Sequence, residues 1–177
     1  DIIEAAGKKP GILFPIFTNG IFLRKDNLGF YDEHRNLLPV ISIEGDRERT
    51  DSRRGKGVYD HLLSAMEGLK ERDLLYGVSV TVTSENLSEV TSEEYLRDLS
   101  DRGCKLVIYV EYVPVTSEST DLVLSDDQRD QLLVGVDRRR DRGQRNNHQF
   151  LHGCPFLLLY ACCFFPPPAK AREMCRL

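Results

Sequence analysis

Four apolar runs recur along the chain, and their regular spacing constrains the fold more than any other feature. The runs begin near residues 12, 38, 76 and 105, so that they are 26, 38 and 29 residues apart. Each interval is about the length of one strand–helix–strand crossover. The pattern predicts an α/β fold with a parallel sheet and outer helices, either an open doubly wound sheet or part of a barrel.

The segments between the apolar runs carry helix signals. The clearest is one stripe of an amphipathic helix, which consists of Val58, Leu62, Ala65, Met66 and Leu69. Thr91 with Glu94, and Ser125 with Gln128, have the spacing of helix capping pairs. Residues 47–57 are densely charged and end in Gly-Lys-Gly, so we expect a loop there.

The composition of the chain changes near residue 137. Residues 138–177 contain eight Lys or Arg against two Asp or Glu, whereas residues 1–137 contain 16 against 26. This tail also holds four of the five cysteines and shows no hydrophobic periodicity. We therefore expect one folded domain at 1–137, followed at 138–177 by a basic, then Cys/Phe/Pro-rich tail that is irregular, disordered or translated out of frame.

Charge and hydropathy exclude several classes of partner. The net charge is −4, whereas nucleic-acid-binding domains are typically basic, so only the tail offers a surface for nucleic acid. The apolar run at 156–165 is ten residues long, and a membrane-spanning helix needs about 18. We expect a cytoplasmic protein without a membrane partner. Because the first residue is Asp1, we also expect a chain that begins within a longer one or after processing.

Polar residues stand where each predicted strand ends. In parallel α/β folds the carboxyl ends of the strands form the ligand-binding edge. The residues at those ends are Thr18, Asn19 and Gly20, then Ser42 to Asp46, then Thr81 to Thr83 with Asn86, and finally Glu111 and Tyr112. If the fold is correct, they converge on one rim that suits a ligand with hydroxyls, an amine and a carboxylate.

The charged segment 47–57 allows two interpretations, and the residues alone do not decide between them. Its arginines suit a carboxylate or a phosphate, but the interleaved Glu48 and Asp51 also suit a salt-bridged surface loop. No His or Cys spacing matches a metal site, and no pattern identifies a catalytic residue. His61 is predicted to lie on the exposed flank of its helix.

The order of several short motifs resembles that of the radical S-adenosylmethionine (radical SAM) enzymes. The matching positions are Thr18-Asn19-Gly20 at one strand end, Ser42-Ile43-Glu44-Gly45 at the next, then Asp51, Arg54 and Gly55, and later Asn86. The resemblance covers residues 1–136. It implies a partial, TIM-like (β/α) barrel, with four of the six parallel strands of that family present in this chain.

The resemblance also implies a function and a set of binding residues. Radical SAM enzymes use a [4Fe–4S] cluster and an electron donor to cleave S-adenosylmethionine to a 5′-deoxyadenosyl radical, which abstracts hydrogen from a small-molecule substrate. By the same resemblance Ser42 and Glu44 would lie near the ribose and amino-acid portion of the cofactor. Arg54 or Arg53 would pair with the carboxylate, and Asn86 would reach the same region. Glu111 or Tyr112 would line the far rim, and Thr18 and Asn19 would belong to the same cofactor edge.

One departure from the family is severe. The cluster-binding pattern Cys-x3-Cys-x2-Cys is absent from the sequence. The resemblance therefore implies a fragment of an oxidoreductase-like enzyme that is inactive alone. Two other functions remain open: an ordinary (β/α) barrel enzyme that binds a phosphorylated small molecule, and a non-catalytic binding module that uses the basic tail.

Overall fold

The fold is known from a computed structural model, which describes residues 2–24, 26–114, 117–145 and 157–161. The elements in chain order are α1 (Ile2–Gly7), β1 (Phe14–Thr18), α2 (Gly29–Glu33), β2 (Leu37–Ile43), α3 (Arg47–Arg54), α4 (Val58–Glu71), β3 (Gly77–Val82), α5 (Leu87–Val90), α6 (Glu93–Asp101), β4 (Leu106–Glu111), a 3-10 helix (Ser117–Leu122), α7 (Asp126–Arg145) and β5 (Leu157–Ala161). Each of the four predicted strands is present, with helices between them.

The strands form one parallel sheet in the order β1-β2-β3-β4-β5. Each strand therefore lies beside its neighbour in sequence, and the order never reverses. A doubly wound sheet reverses its order at a switch point, whereas a (β/α) barrel adds its strands consecutively. The predicted α/β class is confirmed, and the strand order is that of a partial (β/α) barrel.

The two faces of the sheet have different environments. Val78, Val80 and Val82 of β3 are fully buried in the large hydrophobic core between the sheet and the helices. Because side chains alternate along a strand, Ser79 and Thr81 lie on the opposite face, which we call the inner face. A small cluster of Leu38, Val40 and Ile108 forms the apolar part of that face. The inner face carries the hydroxyl groups of Ser42, Ser79 and Thr81.

The charged segment after β2 is a helix, so the prediction of a loop at 47–57 was wrong. Asp46 caps α3, and its side chain accepts a hydrogen bond from the backbone N–H of Arg49 at 2.8 Å. Thr50 is the one buried residue of α3. With so few apolar residues the helix shows no hydrophobic stripe, and periodicity therefore could not reveal it. Its cap, Asp46, was the available signal.

Helix caps were predicted with mixed success. Ser125 and Gln128 form the expected reciprocal pair, with hydrogen bonds of 3.0 and 3.3 Å between side chains and backbone N–H groups. The cap of α6 is shifted by one residue, because the Ser92 hydroxyl, rather than that of Thr91, accepts from the backbone of the helix. The Thr91 hydroxyl instead donates to the carbonyl oxygen of Leu87 at 2.6 Å.

The C-terminal tail is described only in part. The structure describes α7 to Arg145 and the strand β5, which pairs with β4, and the sequence analysis did not predict β5. The other residues of 138–177, on which most of the prediction of an irregular tail falls, lie outside the described residues. Within the described ranges, none of the helices is both long and apolar enough to cross a bilayer.

Leu62 offers a test of the core between α4 and the sheet. It is fully buried, and Leu62→Ala is expected to lower the free energy of unfolding by about 2–5 kcal/mol, because it leaves a cavity. Urea unfolding followed by far-UV circular dichroism would measure the loss. Leu75→Ala is the matched control, since Leu75 is 44% exposed. Equal losses in the two variants would contradict the described packing.

Candidate functional site

The ends of β2 and β3 are joined by the buried side chain of Asn86. Its amide nitrogen donates to the carbonyl oxygens of Thr81 at 2.9 Å and Glu44 at 3.3 Å, and its amide oxygen accepts from the N–H of Thr83 at 2.8 Å. Both amide hydrogens are therefore used inside the protein. Asn86 lies at the predicted edge, where it fixes the position of the Glu44 backbone.

Glu44 is the charged centre of this edge. Its side chain is only 5% exposed, and its Oε2 accepts a hydrogen bond from Nη1 of Arg53 at 3.0 Å. Its Oε1 accepts from Nη2 of Arg54. A buried carboxylate is costly unless it is paired and hydrogen-bonded, and here two guanidinium groups meet that need. We call Glu44, Arg53 and Arg54 the charge triad; its formal charge is positive.

The helix α3 delivers both arginines to the triad. Arg53 and Arg54 occupy the last turn of α3, where the helix dipole favours positive charge. The Thr50 hydroxyl, one turn earlier, accepts a hydrogen bond from the backbone N–H of Glu44 at 3.2 Å. The helix is thus attached to the end of β2 through both the backbone and the side chain of Glu44.

One buried donor of the triad has no partner among the described residues. The Nε of Arg54 is buried, and no hydrogen-bond acceptor reaches it within the described part of the chain. A buried donor without an acceptor costs about 1–3 kcal/mol. The arrangement can therefore accept an anion at Arg54, and a carboxylate matches the planar guanidinium best.

Tyr112 brings the end of β4 to the same edge. The guanidinium carbon of Arg53 lies 5.9 Å from the centre of the Tyr112 ring, within the range of a cation–π contact. The backbone N–H of Tyr112 donates to the carbonyl oxygen of Val82 at 3.0 Å, which continues the pairing of β3 and β4. The ring therefore lies beside the triad and offers an aromatic surface there.

Ser42 lies on the inner face below the triad. Its hydroxyl is 3.1 Å from that of Ser79, its register partner on β3. Ser42 and Glu44 are two residues apart and so project toward the same face. Ser79, which the sequence analysis did not single out, could have been found only from the register of the two strands.

Thr18 and Asn19 shape the turn after β1. The N–H of Gly20 donates to the Thr18 hydroxyl at 3.1 Å, and the N–H of Ile21 donates to Oδ1 of Asn19 at 3.2 Å. Their described hydrogen bonds thus stay within this turn. His61, expected at the surface, lies with its Nε2 at 2.9 Å from the Gly20 carbonyl oxygen and attaches α4 to the turn. That expectation was wrong.

Gly20 and Gly45 are required by close packing at the ends of β1 and β2. Gly20 has a φ of +77°, and a Cβ there would lie 2.4 Å from a methyl carbon of Leu62. Gly45 has a φ of +109°, and a Cβ there would lie 2.8 Å from a carboxylate oxygen of Glu89. The glycines of the Thr-Asn-Gly and Ser-Ile-Glu-Gly motifs therefore allow the helices to approach the strand ends.

Glu111 lies apart from the charge triad. It is paired in register with Val82, so that it shares the helix-facing side of the sheet. There its carboxylate accepts from Nε of Arg129 on α7 at 2.5 Å, and this hydrogen bond raises the pKa of Arg129. The structure thus brings together Glu44, Arg53, Arg54, Asn86 and Tyr112, with Ser42 adjacent, and directs Glu111 elsewhere.

Asp51, which belongs to the matched motif but was assigned no role from the sequence, connects two helices. Its two carboxylate oxygens accept from the backbone N–H groups of Gly57 at 2.9 Å and Tyr59 at 2.8 Å. These hydrogen bonds lower the pKa of Asp51. Asp51 thereby caps α4 and connects it to α3, and Arg54 follows one helical turn later.

A cavity at the other end of the sheet is separate from this edge. It is lined in part by Leu13, Arg35 and Asn36, which lie at the amino ends of β1 and β2. Among the described residues no group of three or more His, Cys, Asp or Glu has the arrangement of a metal site. The described residues therefore do not fit an iron–sulfur cluster, whereas the triad fits a carboxylate.

Comparison with known proteins supports the fold. No protein-family model and no curated protein sequence matches the chain. The structure is similar to that of anSMEcpe with bound AdoMet (TM-score 0.59, 16% identity, 77% of this chain and 38% of that chain). It is also similar to Streptococcus suis SuiB bound to S-adenosylmethionine, with a TM-score of 0.57 and 14% identity over 85% of this chain and 32% of that chain. A domain of pyruvate-formate lyase-activating enzyme from Bacteroides vulgatus matches as well, with a TM-score of 0.53 and 14% identity over 93% of this chain and 88% of that chain.

These neighbours are radical SAM enzymes, and this chain has their fold. It spans less than two fifths of the length of anSMEcpe and of SuiB. Both proteins are also known with peptides: anSMEcpe with a peptide called Kp18Cys, and SuiB with the precursor peptide SuiA. The resemblance seen in the sequence motifs therefore extends to the arrangement of the strands.

The lowered pKa of Asp51 generates a pH-dependent prediction. Asp51→Asn is expected to lower the melting temperature at pH 7, because the amide replaces one of two accepting oxygens at the start of α4. A lowered pKa stabilises the fold above the unfolded-state pKa, about 4, and this contribution is lost as pH falls through the folded-state pKa. The difference between wild type and variant should therefore shrink below about pH 4.

Thermal melts followed by circular dichroism between pH 7 and pH 3 would measure this difference. Asp130→Asn, at an exposed position of α7, is the control and should change the melting temperature little at any pH. A constant difference between wild type and Asp51→Asn across the pH range would show that the carboxylate does not act through its charge.

Proposed function

We propose that residues 1–137 form the part of a radical SAM enzyme that binds S-adenosylmethionine, with the charge triad as the site for the amino-acid end of that ligand. The observation that supports the proposal most strongly is the buried, unpartnered Nε of Arg54. It lies at the carboxyl edge of a sheet whose fold is shared with AdoMet-bound enzymes. An anionic ligand group at Arg54 would supply the acceptor that its Nε lacks.

The side chains around the triad fit the other parts of the ligand. Arg54 pairs with the carboxylate, because the guanidinium fork matches its geometry. Ser42, with Glu44 above it, borders the ribose and the amino-acid portion as a hydroxyl donor and acceptor. The Tyr112 ring offers a stacking surface for adenine. Asn86 keeps the end of β2 in place, and Thr18 and Asn19 keep the neighbouring turn in place.

Glu111 has a different task in this proposal. Its ion pair with Arg129 holds α7 against the end of β4, next to Tyr112. It therefore supports the far rim without touching the ligand.

In the complete enzyme, S-adenosylmethionine supplies a 5′-deoxyadenosyl radical after reductive cleavage at a [4Fe–4S] cluster that receives an electron from a donor. The sequence of this chain contains no Cys-x3-Cys-x2-Cys motif, so these residues contribute binding and orientation only. We therefore propose that the chain alone binds the ligand and does not cleave it. The hydrogen donor is a peptide or a small molecule, by analogy with the peptide-bound neighbours.

Removal of the Arg54 guanidinium tests the proposed function. Arg54→Ala is expected to weaken S-adenosylmethionine binding by at least about tenfold, because a charge-assisted bidentate pair is lost. Isothermal titration calorimetry on the full chain would measure the dissociation constant. Arg97→Ala removes an exposed arginine of α6 that pairs with Glu93 and should leave binding unchanged.

Two results would contradict the proposal. One is wild-type protein that is folded by circular dichroism and does not bind S-adenosylmethionine at millimolar ligand. The other is equal affinity in wild type and Arg54→Ala. Binding of inorganic phosphate, lost in Arg54→Ala, in a protein that does not bind S-adenosylmethionine would instead favour a phosphate-binding barrel enzyme.

A further inference from the structure

We propose that the charge triad is a counter-ion exchange device, in which an incoming anion takes over Arg54 while Arg53 keeps Glu44 paired. The proposal rests on the proposed function only for the identity of the anion. The triad itself is described by contacts between this chain's own residues. It explains why a single carboxylate has two arginine partners.

The number of charges in the triad allows one arginine to leave Glu44. Glu44 is buried and its carboxylate has one arginine at each oxygen. If Glu44 had a single arginine partner, a ligand that took that arginine would leave a buried carboxylate without a counter-ion, which is strongly unfavourable. With two partners, one arginine can be released and the carboxylate stays neutralised.

The two arginines of the triad differ in exposure and in hydrogen bonding. The Arg54 side chain is 21% exposed and retains a buried N–H donor without an acceptor, whereas the Arg53 side chain is 48% exposed. Arg54 is therefore the arginine with an unmet need for an anion. Arg53 also lies over the Tyr112 ring, a contact that favours the position of its guanidinium beside Glu44 whether or not a ligand is present.

The negative charge of Glu44 limits the affinity of the site for anions. In the empty site Glu44 neutralises part of the positive charge that an anion would meet, so it lowers the affinity of Arg54 for any carboxylate. Glu44→Gln keeps the shape and the hydrogen-bond acceptor but removes the negative charge. The variant should therefore bind a simple carboxylate more tightly than the wild type.

A double-mutant cycle with acetate as the probe tests this device in the full chain. The Arg54 Nε–H resonance in a ¹⁵N-correlated NMR spectrum would report acetate binding directly. Glu44→Gln is expected to increase the acetate affinity about tenfold, near the lower, solvent-screened end of the range for one Coulomb interaction. Arg53→Gln is expected to decrease it about tenfold, because Glu44 then cannot release Arg54.

The double variant separates exchange from simple loss of charge. If Arg53 acts by keeping Glu44 paired, Arg53→Gln should have little effect, less than about twofold, once Glu44→Gln is present. If Arg53 acts only as an additional positive charge, the substitution should weaken acetate binding equally in both backgrounds, and the proposal would be overturned. A Glu44→Gln variant that binds acetate no more tightly than wild type would overturn it as well.

Control variants address folding and specificity. Glu89→Gln removes a carboxylate of α5 that pairs at 3.2 Å with Arg49, a residue of α3 outside the triad. This variant should leave acetate binding at Arg54 unchanged. If Glu44→Gln does not fold, Glu44→Asp retracts the carboxylate from the arginines. Glu44→Asp should also raise the acetate affinity, and an unchanged affinity would overturn the proposal.

Titration with S-adenosylmethionine distinguishes this proposal from the proposed function. The expected acetate cycle in a protein that does not bind S-adenosylmethionine would support the exchange device and contradict the proposed function. If S-adenosylmethionine binds normally and the acetate cycle is additive, the proposed function is supported and the exchange device is contradicted.

Discussion

The parallel pairing of β2, β3 and β4 is the constraint on which the candidate site depends. Parallel strands end at the same edge of a sheet, and the register places Ser42 beside Ser79 and Val82 beside Glu111. Glu44 and Tyr112 follow directly after those ends. Asn86 then joins two of the strand ends through hydrogen bonds to the backbone. Without this register the triad and the aromatic ring would not share one edge.

The fold could be predicted because β2, β3 and the middle of β4 are largely buried on both faces. Strands such as Leu106–Glu111, with continuous apolar sequence, give a signal that does not depend on alternation. The helix α3 gave no such signal, because its stability comes from the Asp46 cap and from ion pairs rather than from an apolar stripe. The strand β5 lies in a tail whose composition obscured it, and only pairing with β4 identifies it.

The candidate site could be predicted as an edge but not as a set of contacts. The rule that ligands bind at strand ends identified Glu44 and Tyr112, and it also included Glu111, which faces the helices. Glu111 and Tyr112 are adjacent, so their side chains project to opposite faces of the sheet. A continuously apolar strand does not reveal which of its residues face inward. The strand-end rule also included Asn86, and the resemblance to a family pointed to Arg54, whereas the pairing of both arginines with one carboxylate required coordinates.

The proposed function separates ligand binding from radical chemistry, because the two need different residues. Binding needs charges and hydroxyls at the strand ends, and in this proposal the triad and Ser42 supply them. Cluster chemistry needs thiolates, and the described residues include a single cysteine, Cys104, which is buried on the helix side of the sheet. A side chain in that position cannot reach the inner edge where the triad lies. Under the proposed function the described residues contribute anion recognition, so measurements of affinity rather than of turnover test it.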